Sequence, residues 1–246
     1  MNKAVFKRNA DRKNNQARDV NIIKGFIKNA DASCLINVGK TSVICTASIE
    51  TKIPKWLKGS GKGWLTAEYS MLPASTHTRN NRESTKGKQS GRTLEIQRLI
   101  GRSLRASLDL KKLNELQIKI DCDVINADGG TRTASITGGW VVLTMLINCL
   151  LKNKTLNTNP ITNQIAAISC GIFKGAEILD LDYFEDGNAE IDANFIISKP
   201  NKLIEVQATA EKRSFTKTQL NTLIDMASKE CKNLFKIQSE VVNNEK

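Results

Sequence analysis

What most constrains this chain is a change of hydrophobic period that happens repeatedly along it. Val43, Cys45, Ala47 and Ile49 recur every second residue, as on a half-buried strand. From Arg92 the spacing turns helical, with Ile96, Leu99, Ile100, Leu104 and Leu108 on one face and Ser90 placed to cap the start. Period two returns over 116–126, where Ile118, Ile120, Cys122 and Val124 face one way and Lys119, Asp121 and Asp123 the other. A mostly apolar helix is predicted near 134–153. After Pro160 four strands are predicted, 164–173, 176–184, 190–198 and 203–210, with a turn at Glu185–Ala189. Thr216 then opens a long helix carrying Leu220, Leu223, Ile224, Ala227, Cys231 and Leu234 on one face. Strands, helix, strand, helix, strands, helix is an α+β order, with helices packed on mainly antiparallel or mixed sheet.

With 246 residues the chain can bury a core without disulfide staples, and no linker rich in Pro, Gly or Ser divides it, so one domain over 1–246 is expected. Residues 1–19 read as a polar basic arm and 240–246 as a flexible tail. The longest apolar run, Trp140 to Leu151, is short of a membrane span, and the N-terminus is too polar for a signal-peptide core, so a cytoplasmic protein with no membrane partner is expected. The six cysteines have no C-x-x-C pairing and only His77 could join them, which argues against structural zinc. Cys45, Cys122 and Cys170 are expected as buried thiols.

Charge points toward a polyanion. The net is +12, but residues 1–28 carry +6 and residues 52–105 carry +9, leaving the rest at −3. Two basic tracts on an otherwise acidic remainder suit nucleic acid; solvated lysine-rich loops would give the same tracts.

Three segments can carry chemistry. Ala127-Asp128-Gly129-Gly130-Thr131-Arg132-Thr133 follows a strand and opens a helix, so free amides, hydroxyls and Arg132 could hold a small anion; a plain capped helix start is the alternative. Lys86 to Arg92 places Arg92 at a helix start beyond a basic loop, suited to gripping phosphate or merely to solvation. The acidic run Asp180, Asp182, Glu185, Asp186, Glu190 and Asp192 could bring Asp186 and Asp192 together as a Mg²⁺ site or general acid, or could simply edge a hairpin. Gly39-Lys40-Thr41 is no P-loop, since Cys34 stands where the first glycine is required; it reads as a hairpin turn.

Residues 63–110, GWLTAEYSMLPASTHTRNNRESTKGKQSGRTLEIQRLIGRSLRASLDL, resemble the ribonuclease PH family, as do IDCDVINADGGTRTASITG, LDLDYFEDGNAEIDANFI and LIEVQATAE. The likeness covers about residues 14–226. It implies a ribosomal protein S5 domain 2-like fold with mixed sheets and packed helices. It implies a phosphate-dependent 3′-to-5′ exoribonuclease, or tRNA nucleotidyltransferase, that trims tRNA precursors and releases nucleoside diphosphates. A homohexamer, a trimer of dimers, comes with it, as do inorganic phosphate as co-substrate and Mg²⁺. Mapped onto this sequence, the phosphate site falls on Arg92, Gly130, Thr131 and Arg132. The catalytic or metal-binding aspartates fall on Asp186 and Asp192, and the arginines of RNA contact and ring assembly on Arg79 and Arg82. Ala74 replaces an arginine usual after MLP, and Lys212-Arg213 reverses the charge of a usually acidic loop. The competing readings are a non-catalytic ring subunit and an RNA-binding protein of the same fold.

Overall fold

The computed structural model describes residues 8–50 and 54–244. Two sheets form. The first has the order β1-β2-β3-β5-β4, from β1 (Val20–Lys24), β2 (Ala32–Val38), β3 (Thr41–Glu50), β4 (Trp64–Met71) and β5 (Gln117–Asn126). The second has the order β7-β6-β8-β9, from β6 (Ile165–Phe173), β7 (Ala176–Leu179), β8 (Ile191–Ser198) and β9 (Lys202–Ala210). Pairing is antiparallel except for β4 with β5, which run parallel. A parallel pair cannot be joined by a tight turn. The connection here holds α1 (Glu83–Lys86) and α2 (Gly91–Arg105).

Period two did its work as expected. Val43, Cys45 and Ala47 of β3 and Ile118, Ile120, Cys122 and Val124 of β5 are buried on one face, with Cys45 directly opposite Cys122. Gly39 and Lys40 make the β2–β3 turn, with Gly39 at positive φ. Behind this face lies α3 (Thr131–Lys152), which touches β2, β3 and β5 on one side and β6 on the other. Gly138 permits the approach: a Cβ there would come within 2.8 Å of Cys45 Sγ and Ile36 Cγ2. By length and hydropathy α3 could cross a membrane, but 78% of its apolar window is buried inside the fold, which makes it a core helix. The last helix, α5 (Lys217–Asn243), starts at a Thr216–Gln219 capping box and buries Leu223, Ala227, Cys231 and Leu234 against the second sheet.

Four expectations change. The strand expected over 176–184 stops at Leu179, and the turn expected at Glu185–Ala189 is instead α4 (Tyr183–Asn188). Asp182 and Glu185 form a capping box, and this gives Asp186 a helical position. The arm expected over 1–19 is anchored by two side chains: Arg8 and Arg12 are buried among carboxylates. Residues 1–7 lie outside the described residues. The tail expected over 240–246 is helical to Asn243, with Val241 and Val242 against the core; residues 245–246 lie outside the described ones.

Candidate active site

The N-termini of α2 and α3 and the start of β8 build the site. Ser90 caps α2, its hydroxyl accepting from the Thr93 amide at 3.1 Å. Arg92, in the first turn, is exposed and has no hydrogen-bond or ion-pair partner among the described residues. A cationic fork at a helix N-terminus, where amides already point outward, is a place for an anion.

At α3 the geometry is more constrained. Gly129 and Gly130 take φ of +78° and +69°, the left-handed region that glycine enters without penalty. A Cβ on Gly129 would lie 2.5 Å from the Leu181 carbonyl oxygen. No side chain caps α3. The carbonyl of Gly129 accepts from Thr41 Oγ1 at 2.6 Å, that of Gly130 from the Ala134 amide at 3.0 Å, and that of Asp128 from Arg18 Nη1. In a trans peptide the N–H points opposite to the C=O. The amides of Gly129, Gly130 and Thr131 are therefore turned away from these partners. Tyr69 of β4 donates or accepts at 2.9 Å with Thr131 Oγ1 and so fixes that hydroxyl. Arg132 is held at Nη1 by Glu95 at 3.3 Å and Gln207 at 3.2 Å.

The carboxylates complete the arrangement. Asp192 opens β8 and lines a cleft of about 390 Å³ with Arg132, Glu95, Asn194 and Gln207. Burial, and next the charge of Asp186, push the Asp192 carboxyl up to about 6, against the pull of Arg132 and Arg92. Burial also raises Asp186, while Arg92 and Arg132 draw it back down. Both aspartates thus feel both arginines. The Tyr69 phenol is raised by burial and lowered by Thr131, Arg92 and Arg132. The two anion candidates read separately from the sequence, Arg92 and Gly130–Arg132, face one pair of carboxylates. Neither aspartate has an ion-pair partner among the described residues, and the repulsion between them fits a hard cation.

Arg79 and Arg82 lie elsewhere. Both are exposed and, with Arg92, line a larger cleft of about 1010 Å³ on the β4–β5 side, together with Glu68, Asp121 and Asp123. That cleft does not include Asp186 or Asp192. Their loop is tied to the site's edge by the Ala127 amide on the Ser75 carbonyl, and His77 lies 5.4 Å from the Tyr183 ring of α4.

The sequence reading missed Arg18. Its guanidinium grips Asp180 twice, at 2.8 and 2.7 Å, and also donates to the carbonyls of Asp128, Gly129 and Leu181. One side chain thus ties the glycine loop to the segment leading into α4. An arginine before an aspartate in a polar arm gave no signal of this, because its partner is 162 residues away.

The charges of two arginines at helix starts both reach two carboxylates, an arrangement able to serve phosphoryl transfer on an α+β scaffold. Comparison with known proteins agrees. Residues 16–146 match the 3′ exoribonuclease family, domain 1, and residues 163–230 match domain 2 of that family. Ribonuclease PH of Caulobacter vibrioides strain NA1000 / CB15N is 51% identical over 235 residues, spanning 96% of this chain and 99% of the relative; that of strain ATCC 19089 gives the same figures. The chain belongs to the ribonuclease PH family of 3′ exoribonucleases, and its activity is phosphorolytic, 3′ to 5′, with inorganic phosphate as co-substrate. Among solved structures, rice (Oryza sativa) Rrp46 superposes with a TM-score of 0.76 at 15% identity, covering 96% of this chain and all of that one. The Archaeoglobus fulgidus exosome with RNA bound to its active site gives 0.78 at 17%, covering 94% and 92%. These two show the fold.

Proposed function

We propose that the chain trims the 3′ ends of tRNA precursors, as a homohexamer built from a trimer of dimers, in the cytoplasm. The observation that carries the chemistry is that Arg132 and Asp192 line one cleft and that the charges of Arg92 and Arg132 both reach Asp186 and Asp192. Arg92, Arg132 and the amides of Gly130 and Thr131 bind phosphate and orient one oxygen toward the last phosphodiester. Holding it there replaces a bimolecular encounter by a positioned one. A bond forms between that oxygen and the terminal phosphorus, and the bond from this phosphorus to the preceding 3′ oxygen breaks. The products are a nucleoside diphosphate and RNA one residue shorter. The proton needed by the departing 3′ oxygen is at hand on Asp192, whose raised carboxyl holds it closer to neutrality than an ordinary aspartate. Alternatively, Asp186 and Asp192, both ionised, would hold Mg²⁺, which when bound would supply neutralisation of charge on the phosphorus oxygens.

Arg79 and Arg82 serve RNA contact and ring assembly, and the whole chain works as one unit, since the site draws on both sheets. The tRNA reading rests on the likeness to ribonuclease PH and on the basic excess in residues 1–28 and 52–105. The cytoplasmic reading rests on six free thiols, as a reducing compartment keeps them. The test is incubation with 3′-extended tRNA with and without phosphate. Nucleoside diphosphates should form only with phosphate, and monophosphates formed without it would show hydrolysis instead. Arg92→Ala should raise the phosphate requirement before RNA affinity changes; an unchanged phosphate dependence would remove Arg92 from the site. Light scattering reads the hexamer.

A further inference from the structure

At the far end of α2 from Arg92 stands an aromatic pair that the chemistry does not use. Trp56 sits in a 3-10 turn (Lys55–Leu57) and is 66% exposed, the most exposed large apolar side chain among the described residues. Leaving an indole in water is costly, and a single such residue on a mobile loop would need no explanation. This loop, however, is held in place. Leu57, next to Trp56, is buried at 5% exposure and anchors the turn. Glu115 Oε1 accepts from the amides of Gly59 at 3.0 Å and Gly61 at 3.1 Å, which pins the loop's far limb. The Trp56 ring meets Trp64 of β4 edge to face, with centroids 5.0 Å apart. Arg105 lies over the Trp64 ring at 4.5 Å and is itself fixed by a 2.8 Å bond to the Leu65 carbonyl. The turn therefore presents an indole outward on a rigid support.

Its surroundings select a polyanion with flat rings. Lys55, Lys58 and Lys62 of the same loop are all exposed and have no ion-pair partner among the described residues. Aromatic faces interleaved with unpaired cations are what a single strand of nucleic acid requires, bases on the rings and phosphates on the cations.

We propose that Trp56, with Lys55, Lys58 and Lys62, is a stacking subsite for a base upstream of the RNA 3′ end. The proposal rests on the phosphorolytic reading of the Arg92 site. The spacing gives it a length rule. Arg105 lies thirteen residues further along α2 than Arg92, a rise of about 20 Å. A stacked strand advancing about 3.4 Å per nucleotide covers that with about six nucleotides. A trinucleotide engaged at Arg92 cannot reach Trp56, whereas a 12-nucleotide RNA can.

The experiment compares the wild-type protein, Trp56→Ala and Trp56→Phe on a trinucleotide and on a 12-nucleotide RNA, at saturating phosphate, with light scattering on each variant. Trp56→Ala should weaken the longer RNA at least about fivefold, in keeping with the loss of one stacked base, while the trinucleotide KM stays within twofold. Trp56→Phe should restore most of the affinity. Binding of the longer RNA, but not the trinucleotide, should quench tryptophan fluorescence, and Trp56→Phe should remove that quench. Equal effects on the two lengths, or no quench in wild type, overturn the subsite. A smaller assembly in Trp56→Ala overturns it in favour of a subunit contact. Wild-type protein that releases no nucleoside diphosphate from either RNA would instead strike the phosphorolytic reading itself.

Discussion

Six carboxylates crowd residues 180–192, and the fold treats two groups of them in opposite ways. Asp180, Asp182 and Glu185 are buried against Arg8, Arg12 and Arg18. Arg8 grips Glu185 with two bonds of 2.6 and 2.8 Å, and Arg12 adds one of 3.1 Å. Arg18 chelates Asp180 and holds its carboxyl below the ordinary range, against the burial that would raise it. Asp186, which is exposed, and Asp192, which is half-buried, receive no ion pair among the described residues, and both are raised. The first group is fully buried and each member meets a guanidinium; the second is more open and meets none. Paired carboxylates hold the scaffold, while unpaired ones retain the unfavourable charge that a metal, a proton or an incoming phosphoryl group can relieve.

The sharpest way to break this comparison is to remove a paired charge. Asp180→Asn leaves Arg18 and part of Arg12 buried without their counter-charge, a loss of about 3–5 kcal/mol. At about 2–4 °C per kcal/mol for a chain of this size, Tm should fall by about 10 °C. A Tm within 2 °C of wild type would mean the arginine network contributes little.

Removing an unpaired charge should act on turnover instead. Asp192→Asn is expected to lower kcat by about 100-fold, with RNA affinity unchanged or slightly tighter and no loss of Tm. Single-turnover rates across a Mg²⁺ titration check it. Near-normal rates in both Asp192→Asn and Asp186→Asn would reassign this pair to the scaffold.

The sequence carried most of the strands, the three long helices and two of their caps, because each depends on neighbours within one or two turns. Ser90 and Thr216 cap as their positions imply. Arg92, Gly130, Thr131, Arg132, Asp186 and Asp192 were legible from local chemistry together with a family resemblance. The division of the acidic run was not legible, because Arg8 and Arg12 lie more than 160 residues from the carboxylates they neutralise. The same distance hid α4: without Arg8 and Arg12, a helix opening on Asp182 and Glu185 reads as an acidic turn. Tyr69 drew no notice in the sequence, since its bond to Thr131 appears only once the fold brings β4 to the start of α3.

A smaller effect should separate fixing the scaffold from shaping the site. Arg18→Lys keeps the charge opposite Asp180 but loses the fork that also holds the carbonyls of Asp128, Gly129 and Leu181. With these carbonyls released, the glycine-loop amides lose their fixed direction. The KM for phosphate should rise about tenfold, equivalent to about 1.4 kcal/mol, with the KM for RNA within twofold. Equal rises in both, tracking a drop in Tm, would make Arg18 a scaffold residue only.

The smallest effect concerns pH, where the two groups must respond with opposite sign. Asp192 has a folded value of about 6, above the ordinary aspartate value near 3.9. The folded state therefore binds its proton more tightly than the unfolded state, and stability falls as pH rises between these values. The penalty is complete above about pH 6 and absent below about pH 4. Asn at this position carries no such penalty. In chelator, Asp192→Asn should melt about 2–4 °C above wild type at pH 7.5, for a screened contribution of about 1 kcal/mol, and the gain should vanish toward pH 4. Asp180 has its folded value depressed, so its stabilisation is present above the ordinary aspartate value and is lost as pH falls through the folded one. Asp180→Asn should thus lie below wild type at neutral pH and approach it only in stronger acid. Adding Mg²⁺ at pH 7.5 should raise the wild-type Tm and leave Asp192→Asn nearly where it was, since the cation relieves a repulsion that the variant no longer has. Melting curves for the three proteins from pH 4 to 8, with and without Mg²⁺, decide it. Parallel curves for Asp192→Asn and wild type would mean that Asp192 is an ordinary carboxylate and that burial alone does not set it apart from its paired neighbours.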